Sequence, residues 1–108
     1  MNIYREFRKD ICAVLEGLMV EGKLAKDISL DSVIVEPPRD RLHGELATNA
    51  AMVVAKSSGL DPFEVAELIN KYLIVDKRVS SIRVMKPGFL NFTLKPSVWH
   101  DIVKSALN

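Results

Sequence analysis

The residues best equipped for recognition chemistry lie together in Lys86-Pro87-Gly88-Phe89-Leu90-Asn91. An aromatic ring can stack a base, an amide can read a base edge and an ammonium group can hold a phosphate, which together are the means of binding unpaired RNA. Gly88 lets the backbone turn sharply and approach a ligand closely. The placement follows from strand alternation. If Leu90, Phe92 and Leu94 face a core, then Phe89, Asn91 and Thr93 fall on the opposite face, beside Lys86 and Lys95. Periodicity leaves two readings of Phe89 open: a ring presented to RNA, or a ring covered by a neighbouring loop or helix while Asn91 bonds the turn.

A second polar cluster runs from Glu36 through Pro37-Pro38-Arg39-Asp40-Arg41-Leu42-His43-Gly44 to Glu45. A histidine among carboxylates and arginines has the means for general acid–base work. The rest of a hydrolase is missing, because no serine or second cysteine stands in a nucleophile motif. Nor do the two histidines have partners at metal-ligand spacing, and no glycine-rich phosphate loop is present. Asp40 and His43-Gly44 are therefore expected to cap and fix the start of the buried helix that follows. Thr48 and Asn49 are expected to bond neighbouring backbone. Trp99 fits either a core position or a surface that packs on another domain. Cys12, the single cysteine, is flanked by Ile11 and Val14-Leu15 and is expected to be a packed, unreactive thiol.

Positioning these groups requires several elements. Asn2 followed by Ile3, Phe7, Ile11, Leu15 and Leu18 predicts an amphipathic helix ending at Glu21-Gly22. Val33-Ile34-Val35, halted by Pro37-Pro38, predicts a short strand. The Ala-rich stretch Glu45 to Lys56 predicts a largely buried helix. Asp61-Pro62-Phe63-Glu64 opens another, with Phe63, Ala66, Ile69 and Leu73 on one face. Alternation around Arg83 and Asn91 predicts a hairpin turning near Pro87-Gly88, and Pro96-Ser97 opens a last helix bearing Trp99. The expectation is an α+β fold of order α-β-α-α-β-β-α, with a small antiparallel sheet of three to four strands against about four helices.

The 108 residues suit one domain with one core, 48% hydrophobic and 27% charged. The longest uncharged apolar run, around Leu46 to Ala55, is too short to span a bilayer. The start Met-Asn-Ile-Tyr-Arg-Glu lacks the basic and apolar stretches of a secretory signal, so cytoplasmic residence is expected. The last helix is expected to run to the end of the chain, as in a piece of a longer protein. Net charge is only +1, which argues against binding by bulk charge. The distribution is uneven, since residues 71–95 carry six basic residues against Asp76 alone and the remainder is acidic.

Three ordered blocks carry a resemblance: Val35-Glu36-Pro37-Pro38-Arg39-Asp40, His43-Gly44-Glu45-Leu46-Ala47-Thr48-Asn49-Ala50-Ala51-Met52 and Pro87-Gly88-Phe89-Leu90-Asn91-Phe92. With the opening helix and the closing Trp99 helix, they resemble the N-terminal domain of bacterial arginyl-tRNA synthetases over residues 1–108. The resemblance implies a non-catalytic module that binds the D-loop at the elbow of tRNA(Arg). Its other partners would be the remaining domains of the same enzyme, with neither membrane nor DNA involved. It implies no cofactor here, while ATP with magnesium serves a class I catalytic domain outside this chain. The His-Ile-Gly-His and Lys-Met-Ser-Lys-Ser type elements of that domain are absent from the sequence.

The implied tRNA-binding residues are Phe89, Asn91, Lys86 and Gly88, with no catalytic or metal residue. Phe89 would stack on a base and Asn91 would bond a base edge. Two positions depart from the family pattern. Glu45 stands in a Gly-Asp-Leu-Ala position, and Lys86 stands where Gly-Pro-Gly-Phe begins with glycine, which points to a phosphate contact at Lys86. The alternative role is an intramolecular scaffold that packs on the catalytic or anticodon-binding regions with little direct RNA contact.

Overall fold

The computed structural model describes residues 2–107, with side chains described through Lys104. Helix α1 spans Ile3–Val20 and buries Ile3, Phe7, Ile11, Leu15 and Leu18, the expected stripe. The Asn2 side chain accepts from the Arg5 N–H at 3.1 Å, which satisfies one of the free donors of the first turn. At the other end Gly22 takes a left-handed φ of 78° as the chain leaves the helix.

Strand β1 is Val35–Glu36 rather than Val33–Val35. The cause is that side chains take the backbone groups which a ladder would use. Arg8 donates to the Val33 carbonyl at 2.7 Å and to the Leu30 carbonyl at 2.8 Å. The Ile34 N–H donates to Asn49 Oδ1 at 2.9 Å, and Thr48 Oγ1 donates to the Ile34 carbonyl at 2.8 Å. Backbone pairing then starts at Val35, opposite Thr48.

The largest departure lies within Glu45 to Lys56, expected as one helix. Leu46–Thr48 instead forms strand β2, and helix α2 is confined to Ala50–Ser58. Closely spaced apolar residues suit a fully buried strand as well as a buried helix, and the neighbours decide between them. Gly44, at φ 119°, lies so near β4 that a Cβ there would stand 2.6 Å from the Phe92 carbonyl oxygen. The Glu45 N–H donates to that same carbonyl at 2.8 Å. Once the chain is laid along β4 in this way, all three residues of β2 are buried between two strands.

Helix α3 is Pro62–Leu73, burying Val65, Ala66, Ile69 and Leu73 with Phe63 half-buried. Asp61 occupies the cap position, but its carboxylate makes no cap bond, contrary to expectation. Strands β3, Val79–Met85, and β4, Phe89–Leu94, form the expected hairpin, and α4 is Pro96–Leu107. The result is an α+β fold with a four-stranded antiparallel sheet in the order β1-β2-β4-β3. One face of the sheet is core. Leu46, Thr48, Leu90 and Phe92 are fully buried there, and the Phe92 ring lies 5.8 Å from that of Phe7 on α1. Alternation sends Ala47, Arg83, Met85, Phe89 and Asn91 to the other face.

Candidate nucleic-acid interface

The hairpin turn, Lys86-Pro87-Gly88, places Lys86 and Pro87 in solvent, and the Lys86–Pro87 peptide bond is cis. Gly88 is buried. A Cβ at Gly88 would meet Pro62 Cβ at 2.9 Å and Met52 Cγ at 3.1 Å, so the close approach this glycine allows is to the chain's own helices. The hairpin tip is thereby seated on α2 and α3, which fixes the residue that follows.

That residue, Phe89, pairs with Met85 across the hairpin and leaves 39% of its surface exposed. Two positions on, Asn91 was expected on a wet face. It does point to the same face as Phe89 but is only 7% exposed. A short amide on a central strand lies below longer neighbours, here Phe89 along the strand and Arg83 directly opposite on β3. Asn91 Oδ1 is buried and has no hydrogen-bond partner. A buried acceptor left without a donor typically costs about 1–3 kcal/mol.

The charge around the hairpin is smaller than the sequence count suggests. Arg78 is tied to Asp76 and Asp10, each at 2.6 Å, and its guanidinium lies 4.1 Å from the centre of the Phe7 ring. Its hydrogen bond to Asp76 and, after that, the one to Asp10 raise its pKa further, while the same bond holds the Asp76 carboxyl below its usual value. Arg83 and Lys86 are exposed and, among the described residues, have no carboxylate within ion-pair distance.

The second cluster is internally bonded. Asp40 Oδ1 accepts from the Leu42 N–H at 2.9 Å and caps a short 3-10 turn, Arg41–His43, that Gly44 closes. Asp40 therefore caps the 3-10 turn and not the buried helix, whose start lies further on at Ala50 beyond β2. Thr48 and Asn49 bond backbone as expected, mostly across the fold and, for Thr48, also locally. The Asn49 Nδ2 donates to the Ser32 carbonyl at 3.0 Å, and Thr48 Oγ1 also accepts from the Ala50 N–H at 3.2 Å.

Glu45, whose structural part the sequence pattern missed, receives the Trp99 Nε1–H at 2.9 Å and the Leu94 N–H at 3.0 Å. Trp99 is half-buried by this contact, beside a cavity of about 280 Å³ lined by Tyr4, Pro37, Pro38 and Arg41. Cys12 is half-buried against the core, and burial pushes its thiol pKa up, as suits an unreactive group. No cluster of three or more His, Cys, Asp or Glu among the described residues is arranged to hold a metal ion.

The arrangement is that of a sheet face offering one ring, one unmatched amide oxygen and cations without a counter-ion among the described residues. The family model described as the arginyl tRNA synthetase N-terminal domain matches residues 5–94, and the chain belongs to that family. It is 47% identical over 107 residues, 99% of its length, to an arginine–tRNA ligase of Bartonella henselae. It is 45% identical over 107 residues, again 99% of its length, to one of Cereibacter sphaeroides, and 40% identical over all 108 residues to one of Roseobacter denitrificans. The chain spans 18–19% of the length of these relatives.

Proposed function

We propose that this domain is the tRNA-recognition module of an arginine–tRNA ligase, contacting the D-loop at the elbow of tRNA(Arg) through Phe89, Asn91 and Lys86. The attachment of arginine, driven by ATP with magnesium, belongs to a class I catalytic domain outside this chain, in the cytoplasm. The observation that carries this reading is the half-open Phe89 ring beside an amide whose buried oxygen has no partner. Phe89 stacks on a base, Asn91 meets its edge, and Lys86 holds a neighbouring phosphate. Gly88 acts indirectly, by letting the tip seat on Pro62 and Met52.

A base stack is worth about 1–3 kcal/mol, so Phe89→Ala in the full-length enzyme should raise the KM for tRNA by about 5- to 150-fold at little change in kcat. An unchanged tRNA KM overturns the role given to Phe89.

The scaffold reading draws on a separate observation: Leu42, 89% exposed, and the half-buried Trp99 offer apolar surface at the other end of the sheet. Comparing tRNA binding by the full-length enzyme and by a version without residues 1–108, at two salt concentrations, decides between the two. Equal affinities and equal salt slopes favour the scaffold.

A further inference from the structure

We propose that Arg83 is a further RNA contact, holding a phosphate beside Asn91, so that the footprint extends from the hairpin tip onto the face of β3. The inference rests on the RNA-binding reading of Phe89 and Asn91.

It stands on three observations. First, register: Arg83 is the direct cross-strand partner of Asn91, as Met85 is of Phe89. Opposed residues in an antiparallel pair have Cβ atoms about 4.5–5.5 Å apart, so the guanidinium rises from the same patch as the amide. Second, direction: Ile82 and Val84 turn to the core and pack against it, which leaves Arg83 on the face of Phe89 and Asn91, exposed. Third, availability. Among the described residues Arg83 has no carboxylate within ion-pair distance, in contrast to Arg78, which two aspartates hold. Arg78 is thus locked into the fold, while Arg83 is left to meet an anion.

The chemistry fits a phosphate. A guanidinium presents paired N–H donors that match two phosphate oxygens, and it is weakly hydrated for an ion, so it is readily brought against a polyanion. Phe89 and Asn91 lie two residues apart on β4, about 7 Å at the usual strand rise, and Arg83 flanks the inner of the two. Lys86 lies at the tip and Arg83 inward, so the ring and amide sit between two cations. A strand of RNA with a base stacked on Phe89 would then pass its backbone along β3.

The test uses the full-length enzyme and unmodified tRNA(Arg) transcript, with Kd measured across a salt series. Each phosphate neutralised contributes about 0.7–0.9 to the slope of log Kd against log salt. Arg83→Gln should weaken binding several-fold and lower the slope by about that amount, and Arg83→Lys should restore the slope while recovering affinity only in part. Lys9→Gln, an exposed cation on α1 against the other face of the sheet, should leave the slope unchanged. The proposal is overturned if Arg83→Gln leaves affinity and slope as they were, or if Lys9→Gln lowers the slope equally, which would mean bulk charge. Phe89→Ala is measured in parallel. If it weakens binding while Arg83→Gln does not, Arg83 alone is misassigned; if neither variant changes binding, the RNA reading of the whole face fails.

Discussion

The junction from Ser32 to Ala50 and the hairpin from Arg83 to Asn91 are both polar stretches beside the same sheet, yet they treat their polar groups in opposite ways. In the junction, the side chains of Asp40, Glu45, Thr48 and Asn49 all bond backbone or Trp99, while Arg39 and Arg41 are exposed without a counter-ion among the described residues. In the hairpin face, Asn91 Oδ1 has no partner, Arg83 and Lys86 have no counter-ion among the described residues, and Phe89 stands half in water. The amide, hydroxyl and carboxylate side chains of the junction hold the fold together, whereas the amide of the hairpin face keeps its oxygen unmatched. The difference separates structural from functional polarity better than residue type does, since both regions contain asparagines, arginines and glycines.

If the contrast is right, substitutions in the junction should lower stability and those in the hairpin face should lower tRNA binding at constant stability. The largest effect is expected at Gly44, where an alanine combines φ 119° with a Cβ 2.6 Å from the Phe92 oxygen. Gly44→Ala should cost about 3 kcal/mol in urea unfolding, and a loss under 1 kcal/mol would show that β2 and β4 can part there without penalty. Asn49→Ala removes both side-chain bonds to the 32–34 segment and should cost about 2 kcal/mol by the same measurement.

Glu45→Gln comes next. An amide keeps one acceptor oxygen where the carboxylate has two, so either Trp99 Nε1 or the Leu94 N–H loses its partner, at about 1–2 kcal/mol with a change in Trp99 fluorescence. Unaltered fluorescence and stability would show that the bridge contributes nothing.

Smaller still is a pH effect. Asp76 has its pKa lowered in the fold by Arg78, so this contribution to stability is present above the unfolded value near 3.8 and is lost as pH falls through the folded one. Asp76→Asn should therefore flatten the acid side of the stability curve below about pH 4, an effect kept modest by the exposure of the pair. The smallest change in stability, within about 0.5 kcal/mol, is expected for Phe89→Ala, whose effect should appear in tRNA KM instead. A large loss of stability there would place the ring in the structural class and erase the contrast.

Much of this architecture was legible in the residues themselves. The stripe of α1, the stripe of α3 and the alternation of the hairpin are repeats of apolar type at fixed spacing, and each needs no knowledge of what it packs against. The order of three short motifs was enough to resemble a family. The side on which Phe89 lies also followed from alternation alone, because a strand has only two faces.

What the tertiary structure decided is everything that depends on a partner distant in sequence. Leu46-Ala47-Thr48 became a strand because Gly44 and Glu45 lie against the Phe92 carbonyl, far along the chain. Val33-Ile34 was kept out of the ladder by Arg8, Thr48 and Asn49. Whether a charge is free was part local and part distant: Asp76, two residues before Arg78, binds it, and Asp10 arrives from α1 to complete the cluster, while Arg83 has no such neighbour among the described residues. Asn91 was expected in water and is buried without a partner for its oxygen, between Ala47 on β2 and Arg83 on β3, a condition set by its place on a central strand rather than by its own type. Local pattern fixes direction and period, which short-range sterics govern; burial and pairing are properties of the surroundings, and the surroundings exist only once the chain has folded.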